Sequence, residues 1–271
     1  MADIEILTNS RDIAEHCGRL APRGKIKVRT VGDWKSIKPS NANRYVVSRV
    51  RDVSRDLGRN VAYRDARFVL FEDQYPLQGL AEKFSAIGAP KRIHFVSGSG
   101  KSAFLKRLIS TLGQTETVSR ILDAWWDDDT LIVLSPSYER LTVPRSAIAP
   151  FRGATDEQLR AFEIDTNGAY VYWPSLDVHL GWEQFQQAVD PHARLRAQQK
   201  SHEFNRRYGA AIRETRERHK LRQSDIARLT ERQVGRIERG ECRATRSALT
   251  KLAVAHKMTI SNYLDKLASI L

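Results

Sequence analysis

From Asp190 to Leu271 no segment reads as a strand, and the apolar residues recur at helical intervals. Tyr208, Ala211, Ile212 and Thr215 share one face of a first helix. The stretch Ala193–Lys220 reads as a linker helix running into it, with Gly209 as the place for a break. Ile226 and Ala227 anchor a second helix, Val234 and Ile237 a third, Leu249, Leu252 and Ala253 a fourth, and Tyr263, Leu264 and Leu267 a fifth. Thr230 and Ser261 stand where N-caps belong, and Gly240 closes the third helix. This spacing predicts a small all-α domain over residues 191–271.

The remaining 190 residues are long enough for a further domain or two. Charge divides them. Residues 1–115 carry 21 Lys/Arg against 11 Asp/Glu, residues 116–190 carry 5 against 13, and residues 191–271 carry 19 against 8. A basic–acidic–basic order points to domains with different electrostatic tasks, and the basic ends point to polyanions.

Residues 1–115 alternate β-branched runs with helical patterns. Strands are expected at Ile4–Leu7, Lys25–Thr30, Arg67–Phe71 and Arg92–Val96, and helices at 11–20, 41–57, 77–87 and 101–112. Val46, Val50, Val53 and Leu57 follow one face of the second helix. The alternation implies a small α/β domain with a mainly parallel sheet. Residues 116–190 read instead as a compact α+β domain. Two strands flank Asp127-Asp128-Asp129, a solvated turn, and two more flank Asp165-Thr166-Asn167-Gly168, where Asn-Gly is a hairpin signal. The run Trp173-Pro174-Ser175-Leu176-Asp177 resembles the tail of a small bacterial domain of unknown function that is often fused to helix-turn-helix modules.

In the C-terminal segment Ile212-Arg213, Arg216, Leu221-Arg222-Gln223, Asp225-Ile226-Ala227, Arg236-Ile237-Glu238-Arg239-Gly240 and Leu249-x-x-Leu252-Ala253 follow an ordered pattern. It resembles the Cro/repressor (xenobiotic-response-element) family of helix-turn-helix regulators over about sixty residues. One departure is a segment about three residues shorter between Ala227 and Arg236, which clips the second helix or its turn. The resemblance implies a recognition helix at Glu231–Arg239, lying in the major groove of double-stranded DNA. Arg232, Gln233 and Arg236 suit base edges, Arg forking onto guanine and Gln onto adenine. Gln223 falls where the family touches the DNA backbone, Arg243 and Arg246 suit phosphates, and Thr230 and Arg239 complete the DNA-binding set. Glu238 is expected to be structural.

Ser97-Gly98-Ser99-Gly100-Lys101 is a short glycine-rich turn without the first glycine of a full phosphate loop, since Phe95 stands there. It still suits an anionic small molecule, with Ser97, Ser99, Gly100 and Lys101 as candidate ligand-binding residues at a helix start. The strand carboxyl ends, where α/β sheets bind ligands, would add Thr8, Asn9, Ser10, Asp33 and Asp73. A phosphoreceiver domain would need an acidic pair after the first strand, where Thr8-Asn9-Ser10 stands. Lys25, Lys27 and Arg29 on one strand face, and Arg51, Arg55 and Arg59 at helical spacing, read as edge protection and a solvated face, with a second polyanion-binding surface or a dock for the acidic middle domain as the alternative.

No complete catalytic set, metal-ligand spacing or cofactor motif is present, and Cys17 and Cys242 are too few for a disulfide framework. Without a basic leader or an apolar run long enough to span a bilayer, a cytoplasmic, nucleoid-associated protein is expected. The reading is a non-enzymatic, sequence-specific transcriptional regulator, a homodimer on an inverted repeat. The dimer is expected to join partly through the α/β domain and partly through the last helix, where Ile260, Tyr263, Leu264, Leu267, Ile270 and Leu271 supply apolar surface. The N-terminal part then serves as a sensor of a small anionic effector, an oligomerisation or protein-partner surface, or a second DNA contact. The alternatives are the antitoxin of a toxin–antitoxin pair and a nucleotide- or nucleic-acid-acting enzyme targeted by the helix-turn-helix.

Overall fold

In the computed structural model, residues 4–53, 57, 60–72, 79–88, 90–114 and 120–271 are described. Five strands, β1 (Ile4–Thr8), β2 (Ile26–Thr30), β3 (Asn43–Arg49), β4 (Arg67–Phe71) and β5 (Ile93–Val96), pair in parallel in the order β2-β1-β3-β4-β5. This is the flavodoxin-like doubly wound order, and its switch point lies between β1 and β3. Helices α1 (Arg11–Leu20) and α3 (Lys101–Leu112) cover one face, packing Ile13, Cys17, Phe104 and Leu108 on Ile6, Tyr45, Val47 and Phe71. The other face buries Leu7, Val46, Phe68 and Leu70 under Trp34, Val50, Leu57, Tyr63 and Ile87, the last from α2 (Leu80–Ile87).

The helix expected over 41–57 is not formed; its first half is the central strand β3. A strand buried on both faces reads as a continuous apolar run rather than an alternation. Tyr45 and Val47 enter one core, whereas Val46 enters the other together with Val50, Val53 and Leu57 of the segment that follows. The helical spacing of those four thus comes from one strand residue and three residues after it. Arg55 and Arg59, and with them the expected arginine stripe, lie outside the described residues, as does Asp73. On the edge strand, Arg29 bonds Glu5 at 2.9 Å. Arg44 reaches the same carboxylate at 2.8 Å and the Ala62 carbonyl at 2.8 Å. Burial pushes Glu5 up, but the two guanidinium hydrogen bonds outweigh it and hold its pKa below the ordinary value.

Two three-stranded antiparallel sheets follow. One is β6 (Asp123–Asp127), β7 (Thr130–Leu134) and β8 (Arg140–Pro144); the other is β9 (Glu163–Ile164), β10 (Val171–Trp173) and β11 (Val178–Leu180). Both expected hairpins are present, with Gly168 at φ +65° in the second turn. Trp173 is fully buried, Pro174 starts a 3-10 turn and Asp177 ends it at φ +49°. The Trp-Pro-x-Leu-Asp run is therefore a corner anchored in the core. Helices α4 (Asp156–Arg160) and α5 (Trp182–Val189) complete the layer; Trp126 and Trp173 both donate to the Leu159 carbonyl, at 2.8 and 2.9 Å.

By its contacts the chain divides into two compact units, Met1–Val189 and Asp190–Leu271. The expected division at residue 115 falls inside the first. There Leu122, Leu134 and Tyr138 join the sheet's core, and Tyr45 Oη donates to the Pro136 carbonyl at 2.7 Å.

The second unit holds α6 (Pro191–Arg218), α7 (Glu231–Glu238), α8 (Arg246–Ala255) and α9 (Ile260–Ala268) around Ile212, Ile226, Val234, Leu252, Tyr263 and Leu267. Helix α6 runs through Gly209 without a break. A Cβ there would lie 2.3 Å from the Ile237 carbonyl oxygen, so glycine permits a close crossing with α7. The expected second helix is only a 3-10 turn, Gln223–Asp225, and Ala227 is exposed. The shortened segment leaves one helical turn before the chain reverses through Arg228, at φ +62°, to the N-cap Thr230. Left-handed residues also stand in the other turns: Lys220 at +56°, Gly240 at +71° and Lys257 at +56°. Thr259, not Ser261, caps α9. Of the six residues expected at a dimer surface, Tyr263 and Leu267 fill this unit's own core, and Ile260 and Ile270 pack half-buried against it. Leu264 and Leu271 remain exposed. Among the described residues no helix is long and apolar enough to cross a membrane.

Candidate functional site

Helix α7 is fixed at both ends. At its start Thr230 and Gln233 form a capping box: Thr230 Oγ1 accepts from the Gln233 backbone N–H at 3.2 Å, and Gln233 Oε1 accepts from the Thr230 N–H at 2.9 Å. At its end Glu238, buried, accepts from Arg216 Nε at 2.6 Å and Nη2 at 3.0 Å, and from Gln223 Nε2 at 2.8 Å. Arg216 also donates to the Leu221 carbonyl at 2.7 Å, which ties α6, the 3-10 turn and α7 together. The Glu238 carboxylate holds the Arg216 guanidinium above its ordinary pKa. Glu238 is thus the structural residue that the sequence pattern implies, and Gln223 is half-buried on it.

With Val234 and Ile237 buried, the other side of α7 carries exposed Arg232 and Arg236, four residues apart and so on one face. Gln233, Arg236 and Arg243 line one depression of about 320 Å³ between α7 and α8. Thr245, Ser247 and Lys251 line it too, three residues that sequence reasoning missed. Lys251 sits one turn into α8 on a mostly apolar helix, and only the packing of α8 beside α7 brings it near the arginines. Arg246 is exposed at the first position of α8, behind the N-cap Thr245. Arg239 is turned back on Glu241, Nε to Oε1 at 2.6 Å, and Arg236 Nε lies 3.6 Å from the same carboxylate. The Arg239 hydrogen bond holds Glu241 below the ordinary carboxylate range. Among the described residues Arg232, Arg243 and Arg246 donate no side-chain hydrogen bond.

The four candidate ligand-binding residues do not converge. Ser97 and Gly100 line a cavity of about 550 Å³ beside β5, with His94, Asp123 and Trp125. Lys101 lines another, of about 380 Å³, with Asp12, His16 and Arg49. The Ser99 side chain lies outside the described residues. The turn also already holds an anion of its own chain: the Gly98 N–H donates to Glu72 Oε2 at 2.8 Å, and Lys101 Nζ donates to the Glu72 carbonyl. At the other strand ends Ser48 Oγ donates to Asn9 Oδ1 at 3.0 Å, and Asp33 caps a 3-10 turn by accepting from the Lys35 N–H. Among the described residues no group of three His, Cys, Asp or Glu is placed to hold a metal ion.

Compared with known protein families, residues 121–185 match the model described as Protein of unknown function (DUF2442). The match covers the hairpin layers, including the Trp173–Asp177 corner. No curated protein and no solved structure matches the chain.

Proposed function

We propose that this protein binds double-stranded DNA sequence-specifically through the unit Asp190–Leu271 and acts in transcriptional control. The observation that carries this reading is the outward face of α7, with Arg232 and Arg236 exposed beside Arg243 and Arg246 around the turn into α8. A short helix held rigidly from beneath, with guanidinium groups on its outer face, has the chemistry to enter a major groove. The flanking cations suit phosphates, which position the protein without reading sequence. Thr230 and Gln233 order the helix start that would face the bases. Two copies on an inverted repeat complete the reading, with Leu264 and Leu271 as the apolar surface left at the last helix.

The test is selection of DNA fragments from a random pool by the full chain, followed by binding at several salt concentrations. A defined motif is expected, with affinity falling steeply as salt rises. Arg232→Ala and Arg236→Ala should change the selected sequence, each at about 1–3 kcal/mol of discrimination, while Arg243→Ala and Arg246→Ala should weaken all sequences alike. A pool that stays unenriched, or an Arg236→Ala chain that selects the same motif equally tightly, removes the reading. Sedimentation showing a monomer with and without DNA removes the dimer.

A further inference from the structure

The cavity of about 380 Å³ in the first unit lies where a doubly wound sheet places its ligands. Its lining comes from one face of α1 along its whole length, the carboxyl ends of β3 and β4, and the start of α3, beside the β1/β3 switch point. Ile13, Phe71 and Leu105 give it an apolar floor. Around that floor stand three full cations, Arg19, Arg49 and Lys101, against one carboxylate, Asp12. Arg49 Nη2 bonds Asp12 Oδ2 at 2.7 Å; a guanidinium carries five donors, so this contact orients the group rather than exhausting it. Lys101 Nζ donates to a neutral carbonyl, that of Glu72, and makes no ion pair among the described residues. His16 also lines the cavity, with its Nε2 turned away into the packing, where it has no hydrogen-bond partner among the described residues.

From these observations we infer that this cavity binds a small amphipathic anion, an apolar body carrying one phosphate or carboxylate group. The volume is at the lower end of the roughly 300–1,000 Å³ of small-molecule pockets, which excludes a dinucleotide and suits a single ring or a short chain. The apolar body rests on Ile13, Phe71 and Leu105. The anionic group meets Arg49 and Lys101. This site shares only Lys101 with the glycine-rich turn that the sequence singles out.

The experiment is calorimetry on the full chain with phenyl phosphate and benzoate as probes, and inorganic phosphate and benzyl alcohol as controls. One equivalent of phenyl phosphate or benzoate should bind about tenfold or more tightly than either control, because charge and apolar contact act together. Which of the two probes binds more tightly identifies the anionic group. Arg49→Gln and Lys101→Gln should each weaken that probe by about tenfold, the loss of a charge-assisted hydrogen bond. Ser102→Trp, at an exposed position on the rim, blocks the cavity without touching the core and carries the test if Arg49→Gln unfolds the unit. Absence of binding at millimolar probe, equal binding of inorganic phosphate, or affinities unchanged by all three substitutions would overturn the inference.

Discussion

In the strand layer two arginines, Arg29 and Arg44, end on one buried carboxylate, Glu5, and hold β1 between its neighbours. In the helical unit a single arginine, Arg216, turns inward to a buried carboxylate, Glu238, and the pair joins two helices. The segments that hold these pairs carry similar excesses of positive charge, +10 over residues 1–115 and +11 over 191–271. Yet Arg67 and Arg107 in the first are bonded to the Ser137 and Leu122 carbonyls, whereas Arg232, Arg243 and Arg246 in the second face outward. Net charge therefore does not locate a polyanion surface. Which guanidinium groups are left for an outside partner depends on which carboxylates and carbonyls the fold brings beneath them.

The largest expected effects break the two buried pairs. Removing one partner strands the other charge and costs about 3–5 kcal/mol. All five tryptophans lie in Met1–Val189, so their fluorescence reports that unit, while circular dichroism near 222 nm weights the helical one. Glu5→Ala should lower the urea midpoint seen by tryptophan and leave the proposed DNA binding unchanged. Arg216→Met should lower the helical transition and abolish the proposed DNA binding. A single transition that moves equally in both variants would dissolve the contrast between the units. A smaller effect is expected from Gly209→Ala, whose methyl group must displace the Ile237 and Glu238 carbonyls at the α6–α7 crossing; overpacking of this kind costs about 1–3 kcal/mol. The change should appear in dichroism and not in tryptophan emission.

The smallest effect depends on pH. His256 is buried in the helical unit, its Nδ1 is 2.6 Å from the Leu252 carbonyl, and burial lowers its pKa below 6.5. In the unfolded chain the same ring protonates near 6.5, so below that pH unfolding takes up a proton that the folded unit refuses. The helical unit should therefore lose stability as pH falls from about 6.5 toward the folded-state value, a window that His256→Gln removes. Equal slopes for the two chains in pH-dependent melting would assign the sensitivity elsewhere.

What is legible in the sequence follows from how each element is buried. An amphipathic helix repeats its apolar face in one register, which is why α7 and α8 can be placed within a residue or two from Val234, Ile237, Leu249 and Leu252. Strand β3 has no such signature, because Tyr45, Val46 and Val47 are buried in succession. The Asn167-Gly168 hairpin is readable because only glycine takes its positive φ without strain. The depression between α7 and α8 is half legible: its arginines follow a linear pattern, whereas Thr245, Ser247 and Lys251 join them only through tertiary packing. The strand-end cavity is the least legible part. Its cations come from three separate elements, and Arg49 sits in the segment whose helical spacing conceals the strand.

Three of the four left-handed turn residues of the helical unit are Lys220, Arg228 and Lys257, side chains that carry a Cβ into a region where glycine is at ease. The conformation costs an L residue about 1–2 kcal/mol relative to the right-handed form, so glycine at each position would make the bundle more robust to heat. The same exchange would take three positive charges from the connections between helices. On the proposed DNA-binding reading, those three charges would add long-range attraction for the phosphate backbone, so the glycine variants should melt at higher temperature and bind DNA more weakly at low salt.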